Sequence, residues 1–105
     1  MCPFCYIGKR RIEEALSLFE HKDTVEIEWK SFQLNPELKT TKTQSIYEYL
    51  AESKGWTVDY AMQMGEQVTA MAEELGLHYN MDATVVANTM NAHRLIQFAK
   101  TKNLG

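Results

Sequence analysis

The chain has 105 residues, 45% of them hydrophobic and 24% charged, with a net charge of −3 at neutral pH. That length suits one small domain and the composition is that of a globular protein, so a disordered or fibrous chain is excluded. The acidic balance, without a basic stripe laced with aromatics, argues against a nucleic-acid partner. No apolar run reaches membrane-spanning length and none reads as a secretory leader, so no membrane partner is expected either.

The first element carries the chemistry. Cys2-Pro3-Phe4-Cys5 holds the chain's two cysteines. Behind it, Ile12, Ala15, Leu16 and Phe19 recur at i, i+3, i+4 and i+7, which predicts a helix over residues 3–20. Pro3 suits the first helical position, where its missing N–H costs nothing. Cys2 then falls at or near the N-cap, where unpaired N–H groups and the positive end of the helix dipole favour a thiolate. Cysteines in such places titrate at roughly 3.5–7.5, against about 8.5 when free. Cys5, about one turn further in, is expected to be less exposed, protonated, and placed to attack a mixed disulfide on Cys2. That is one nucleophile and one resolver.

Three plainer readings weigh less. A zinc site needs two more ligands, and His21, His78 and His93 are scattered, so no metal is expected. A structural disulfide across so short a loop removes little unfolded-state entropy. Two cysteines buried by chance as small hydrophobes sit poorly with the intervening proline and the helix behind it. Lys9-Arg10-Arg11 is a solvated helix face, with Glu13 and Glu14 in reach. A single CxxC pair is not a disulfide-stapled secreted scaffold, so a cytoplasmic location is the default expectation.

Past the polar break His21-Lys22-Asp23, residues 25–30 alternate apolar and charged. This predicts a half-buried strand that continues to Phe32 or Gln33 and ends at Asn35-Pro36. A polar loop leads to Ser45-Ile46-Tyr47-Glu48, a capping box that opens a helix carrying Ile46, Tyr49 and Leu50 inward and stopping near Gly55. Thr57 caps the next helix. Its apolar face is Ala61, Met64, Val68, Met71, Ala72 and Leu75, and Gly76 ends it. Met62, Met64 and Met71 on this helix are core filler before they are a substrate surface. A connector follows from Leu77 to Asp82. Residues 85–87 read as extended, because consecutive β-branched residues sit poorly in a helix, and Asn88 as the cap of a last helix carrying Thr89, Ala92, Ile96 and Ala99. Four helices and one strand leave that strand without a neighbour. A partner chain, or part of a longer protein, is expected to complete the sheet.

The order of features resembles the DsbA-like thioredoxin superfamily, and within it the FrnE-type branch of dithiol–disulfide isomerases. The matching residues are the run from Cys2 through Tyr6, Ile7, Gly8 and Lys9 to Arg11, then Glu28-Trp29-Lys30 with Phe32-Gln33-Leu34-Asn35-Pro36, then Asn88-Thr89 and Ala92-His93-Arg94-Leu95. They answer to the family's CPWCYIGK, its strand running into F-x-L-N-P, and its NT-x-x-AHRL. The resemblance implies an α/β, thioredoxin-like fold of DsbA type with a helical insertion. The chain is then a helix-rich partial domain with one clear strand: residues 1–36 are the N-terminal part of the thioredoxin-like domain, with the active-site helix and that strand, and residues 37–105 are the helical insertion.

The resemblance also implies a thiol–disulfide oxidoreductase or isomerase with Cys2 and Cys5 catalytic. Pro3, Phe4 and Tyr6 tune the site, and Gln33, Leu34, Asn35, Pro36, Asn88, His93 and Arg94 shape a substrate cleft. Substrates are thiols or disulfides, protein or small; no cofactor is required, with glutathione a redox partner; a homodimer is one way to complete the sheet. Phe4 stands where this branch carries Trp and DsbA proper carries His, so a less oxidising potential than that of DsbA is expected. Glutathione-dependent isomerases and kappa-class transferases carry Ser at the position of Cys2, which argues for redox exchange. The alternatives are that glutathione-dependent chemistry, or a helical binding or dimerisation module with a passenger CxxC. Family members also have a strand before the CxxC and a later half with a substrate-binding cis-proline. Pro36 lies in the wrong motif to be that proline, so a piece of a longer protein is expected.

Overall fold

Pro3 sets the first turn of the molecule. In the computed structural model, which describes residues 2–105, helix α1 spans Pro3–Ser17 with Cys2 as its N-cap and proline at the first helical position. The helix stops at Leu18, short of the expected Glu20, and a 3₁₀ turn follows at Lys22–Thr24. Of its apolar residues only Ile7 is buried, while Ile12 and Phe19 of the expected stripe are 43% and 48% exposed. The reason is local docking. Tyr6 and Ile7 reach the core, and the stripe beyond them faces solvent. Glu13 pairs with Lys9 and lies 3.8 Å from Arg10, an exposed arrangement that adds little stability.

Helix α2 (Ile46–Lys54) opens on the full capping box. The Ser45 hydroxyl accepts from the Glu48 N–H, and the Glu48 carboxylate accepts from the Ser45 N–H. It ends at Gly55 in the left-handed region, φ 69°. Helix α3 (Val58–Glu73) is capped by the Thr57 hydroxyl. Its end is a Schellman motif: Leu77 N–H donates to the Ala72 carbonyl and Gly76 N–H to that of Glu73, with Gly76 at φ 73°. The last helix, α4, spans Met90–Lys100. Its N-cap is Thr89, one residue past the expected Asn88, and the Thr89 side chain makes no capping bond; the Asn88 carboxamide oxygen, just outside the helix, accepts from the Met90 N–H at 2.9 Å.

Packing centres on α3. Its buried face is Ala61, Gly65, Val68 and Ala72, with Met64, Met71 and Leu75 half-buried. Helix α2 and α1 both pack against it. Tyr47 of α2 lies over Gly65, where an added Cβ would stand 2.9 Å from the Tyr47 ring. The Tyr47 hydroxyl donates to Asp82 at 2.9 Å. Ile7 joins Val68, Ala72 and Leu77 in one cluster.

The expected strand is the main departure. Residues 25–33 carry no strand pairing, and among the described residues the β pairing is a single antiparallel bridge between Thr41 and Val86. An alternating sequence prepares a backbone for a sheet but a strand exists only through its partner's hydrogen bonds. Here α4 holds the segment by side chains instead. Gln97 donates to the Ser31 hydroxyl at 2.6 Å and Lys100 to the Trp29 carbonyl.

Candidate active site

The two thiols meet at the start of α1. Cys2 is the half-buried N-cap and the Cys5 N–H donates to its carbonyl at 3.1 Å. Both cysteines are free. Cys5 is the more exposed of the two, opposite to expectation. The expected protonation of Cys5 is supported all the same. Partial burial, a side-chain hydrogen bond to Cys2 and the charge of Cys2 raise its pKa above its ordinary value of 9.0. Cys5 is thus the thiol that keeps its proton to higher pH.

Around them, Phe4 projects outward at 54% exposure. Tyr6 is half-buried against the Ile7 cluster, with the Arg10 guanidinium 5.4 Å from its ring centre and donating to its hydroxyl at 3.3 Å. The Pro3 carbonyl accepts a hydrogen bond at 2.9 Å from the Tyr79 hydroxyl. Burial first, then the charges of Tyr6 and Cys2, raise the pKa of the Tyr79 phenol above its ordinary 10.0. Tyr79 was invisible in the sequence as a site residue. It sits in an irregular connector with no periodicity; the one hint was an apolar residue two positions after Leu77, itself just past a helix-ending glycine.

The residues expected to shape a cleft form two other groups. Asn88 ties the first together. Its amide donates to the Pro36 and Leu38 carbonyls at 3.0 and 2.7 Å, and its oxygen accepts from Gln33 at 3.2 Å as well as from Met90. Asn35 turns the chain, its oxygen accepting from the Glu37 N–H and its amide donating to the Tyr49 hydroxyl at 3.4 Å. Leu34 points out at 73% exposure. The second group, His93 and Arg94, lines an open groove of about 720 Å³ along α4 with Ser31, Met90, Gln97 and Phe98. The His93 Nδ1 is buried there without a partner. No hydrogen bond among the described residues links either group to the CPFC turn; the residue that reaches it is Tyr79. Among those residues no cluster of three or more His, Cys, Asp or Glu is gathered as for a metal ion, and no helix is long and apolar enough to cross a membrane.

Residues 1–104 match the family model described as the DSBA-like thioredoxin domain. The chain belongs to this DsbA-like family. A probable DsbA oxidoreductase from Streptomyces coelicolor superimposes over 97% of the chain, with a TM-score of 0.86 and 34% identity. The uncharacterised protein YwbO of Bacillus subtilis is 34% identical over 106 residues, the whole of this chain. The chain spans 44% of the first and 46% of the second, slightly under half the length of each. Its fold is therefore the DsbA-like thioredoxin fold in a helix-rich part almost without strand.

Proposed function

We propose that the protein is a thiol–disulfide oxidoreductase, in which Cys2 is the nucleophile and Cys5 the resolving thiol. The observation that carries this reading is the placing of two free thiols in one helical turn, Cys2 at the N-cap and Cys5 three residues on, its N–H bonded to the Cys2 carbonyl. The Cys2 thiolate attacks a substrate disulfide. A bond forms between the Cys2 sulfur and one substrate sulfur, and the other substrate sulfur leaves as a thiolate. Cys5 then attacks the Cys2 sulfur and releases the second substrate sulfur, which takes the Cys5 proton. The substrate disulfide gains two electrons and the Cys2–Cys5 pair loses them; the reverse course oxidises a substrate dithiol.

The protonated Cys5 fits this order. At neutral pH it does not compete as a nucleophile, and it holds a proton for the leaving sulfur.

The finer reading is a dithiol–disulfide isomerase of the FrnE type, supported by the run from Cys2 to Lys9, working on protein or small thiols in the cytoplasm. Glutathione recycles the pair, no cofactor is needed, and the potential is less oxidising than that of DsbA proper. Insulin reduction tests the reaction. The chain is expected to accelerate it and Cys2→Ser to abolish the acceleration; equal rates for the two would sink the mechanism.

A further inference from the structure

Arg10 leans back along α1 toward the dithiol. It follows Tyr6 by four residues, as Tyr6 follows Cys2, so the three fall on one side of the helix, each about 40° round from the last. The guanidinium lies 5.4 Å from the centre of the Tyr6 ring and donates to its hydroxyl at 3.3 Å. Tyr6 and Tyr79 both pack on the Ile7 cluster, and the charges of Tyr6 and Cys2 both reach the Tyr79 phenol. The ring that holds Arg10 and the nucleophile thus share one neighbour.

Little else occupies the guanidinium. Among the described residues only Glu13 offers it a carboxylate within ion-pair reach, at 3.8 Å, and Glu13 is already bonded to Lys9. A guanidinium carries five N–H donors in a planar fork that matches a carboxylate. Here most of them face solvent, on an exposed residue whose side chain Tyr6 already steadies. At 1.5 Å per residue, Arg10 stands roughly 12 Å up the axis from Cys2, and Tyr6, to which it bends back, roughly 6 Å. That span suits a small disulfide with a carboxylate a few bonds from its sulfur.

We propose that Arg10 sets the substrate class of the dithiol: it takes the carboxylate of a small anionic disulfide while the Cys2 thiolate attacks the sulfur. This rests on the thiol-exchange reading above. The chain's net charge of −3 repels such a substrate at a distance, so its attraction has to be local. Tyr6 holds the guanidinium in advance, which leaves less side-chain freedom to be lost on binding.

The test is the rate of mixed-disulfide formation on Cys2, read by intact mass in a Cys5→Ser background. Two disulfides are compared: oxidised glutathione, which carries carboxylates, and hydroxyethyl disulfide, which is uncharged. In both, Cys2 bonds to one sulfur and the other leaves as a thiolate, so any effect of Arg10 on the Cys2 thiolate falls on both alike. The ratio of the two rates isolates recognition. Arg10→Gln, which keeps the helix propensity of α1, is expected to lower that ratio about threefold, the scale of an exposed ion pair. Arg11→Gln removes the same charge about 100° round the helix and is expected to leave the ratio unchanged. A ratio unmoved by Arg10→Gln, or an equal fall in Arg11→Gln, would overturn the proposal. A Cys5→Ser chain that reacts with neither disulfide overturns the exchange reading itself; one that reacts with both, at a ratio indifferent to Arg10, overturns the role of Arg10 alone.

Discussion

In the proposed exchange, Cys2 and Cys5 divide their work by protonation rather than by access. The more exposed thiol is Cys5, so exposure alone would name it, and not Cys2, as the nucleophile. The reacting species is the thiolate, and each unit by which a thiol's pKa rises removes about tenfold of it at neutral pH. Higher basicity returns part of that loss as intrinsic nucleophilicity, leaving a net factor of about three per unit. Cys5, with its raised pKa, carries the handicap; Cys2 holds the cap. The motif and its helix were legible because proline and cysteine at a helix start have local causes. Tyr79 was not, since its bond to Pro3 joins residues 76 apart in sequence. Asn88 was legible as a polar residue at the start of α4 but not as a hub. Its side chain makes four hydrogen bonds, two of them part-buried, that hold residues 33–38 to the start of α4. Asn88→Ala is expected to lower stability by about 2 kcal/mol, since each lost bond is worth roughly 0.5–1.5 kcal/mol and solvent recovers some of it. Urea unfolding checks this, and a change under about 0.5 kcal/mol, the scatter of ordinary surface substitutions, would contradict it.

Among the elements, what the sequence spelled locally is what the structure keeps. Ser45 with Glu48, Thr57, Gly55 and Gly76 set the ends of α2 and α3 where their side chains and dihedrals allow. The face of α3 was readable for the same reason, as one helix buries one stripe. Residues 25–33 were not, because an alternating pattern states a need for a sheet and does not supply its neighbours. The stripe of α1 likewise predicts a helix correctly and a burial that occurs only at its first turns. Close approach of α2 to α3 gives a sharp test. An added methyl at Gly65 would stand 2.9 Å from the Tyr47 ring, which Asp82 holds by its hydroxyl. Gly65→Ala gains about 1 kcal/mol of helix propensity and loses roughly 1–3 kcal/mol to overpacking. Net destabilisation is expected, largely relieved by Tyr47→Ala in the double variant. A stabilised single variant would show that the two helices part freely.

At the scale of the whole molecule, much apolar surface is open. The radius of gyration is 16.2 Å, where about 13 Å suits a compact chain of this length. The accessible area is 8434 Å², against roughly 6,000 Å² for a compact monomer of this mass. Phe32, Leu34, Leu95 and Phe98 are all more than 60% exposed. Such a surface fits a chain that spans slightly under half of its relatives, and it leaves stability resting on the small α1–α3 core. Three groups tied to that core and its edges, Cys5, Tyr47 and Tyr79, have raised pKa values, burial being the first cause in each. A raised folded pKa means that the folded chain keeps a proton the unfolded chain has lost. Their contribution is complete below the ordinary values of 9.0 and 10.0 and fades as pH rises through the folded ones. The urea midpoint is therefore expected to fall as pH climbs past 9.0, and a flat or rising midpoint would contradict this. The division of labour between the two thiols is tested most directly by peptide mass mapping after brief exposure to oxidised glutathione. Cys5→Ser is expected to accumulate one glutathione adduct on Cys2, the parent chain to pass on to a Cys2–Cys5 disulfide, and Cys2→Ser to stay largely unmodified. Adducts forming on Cys5 as fast as on Cys2 would contradict it.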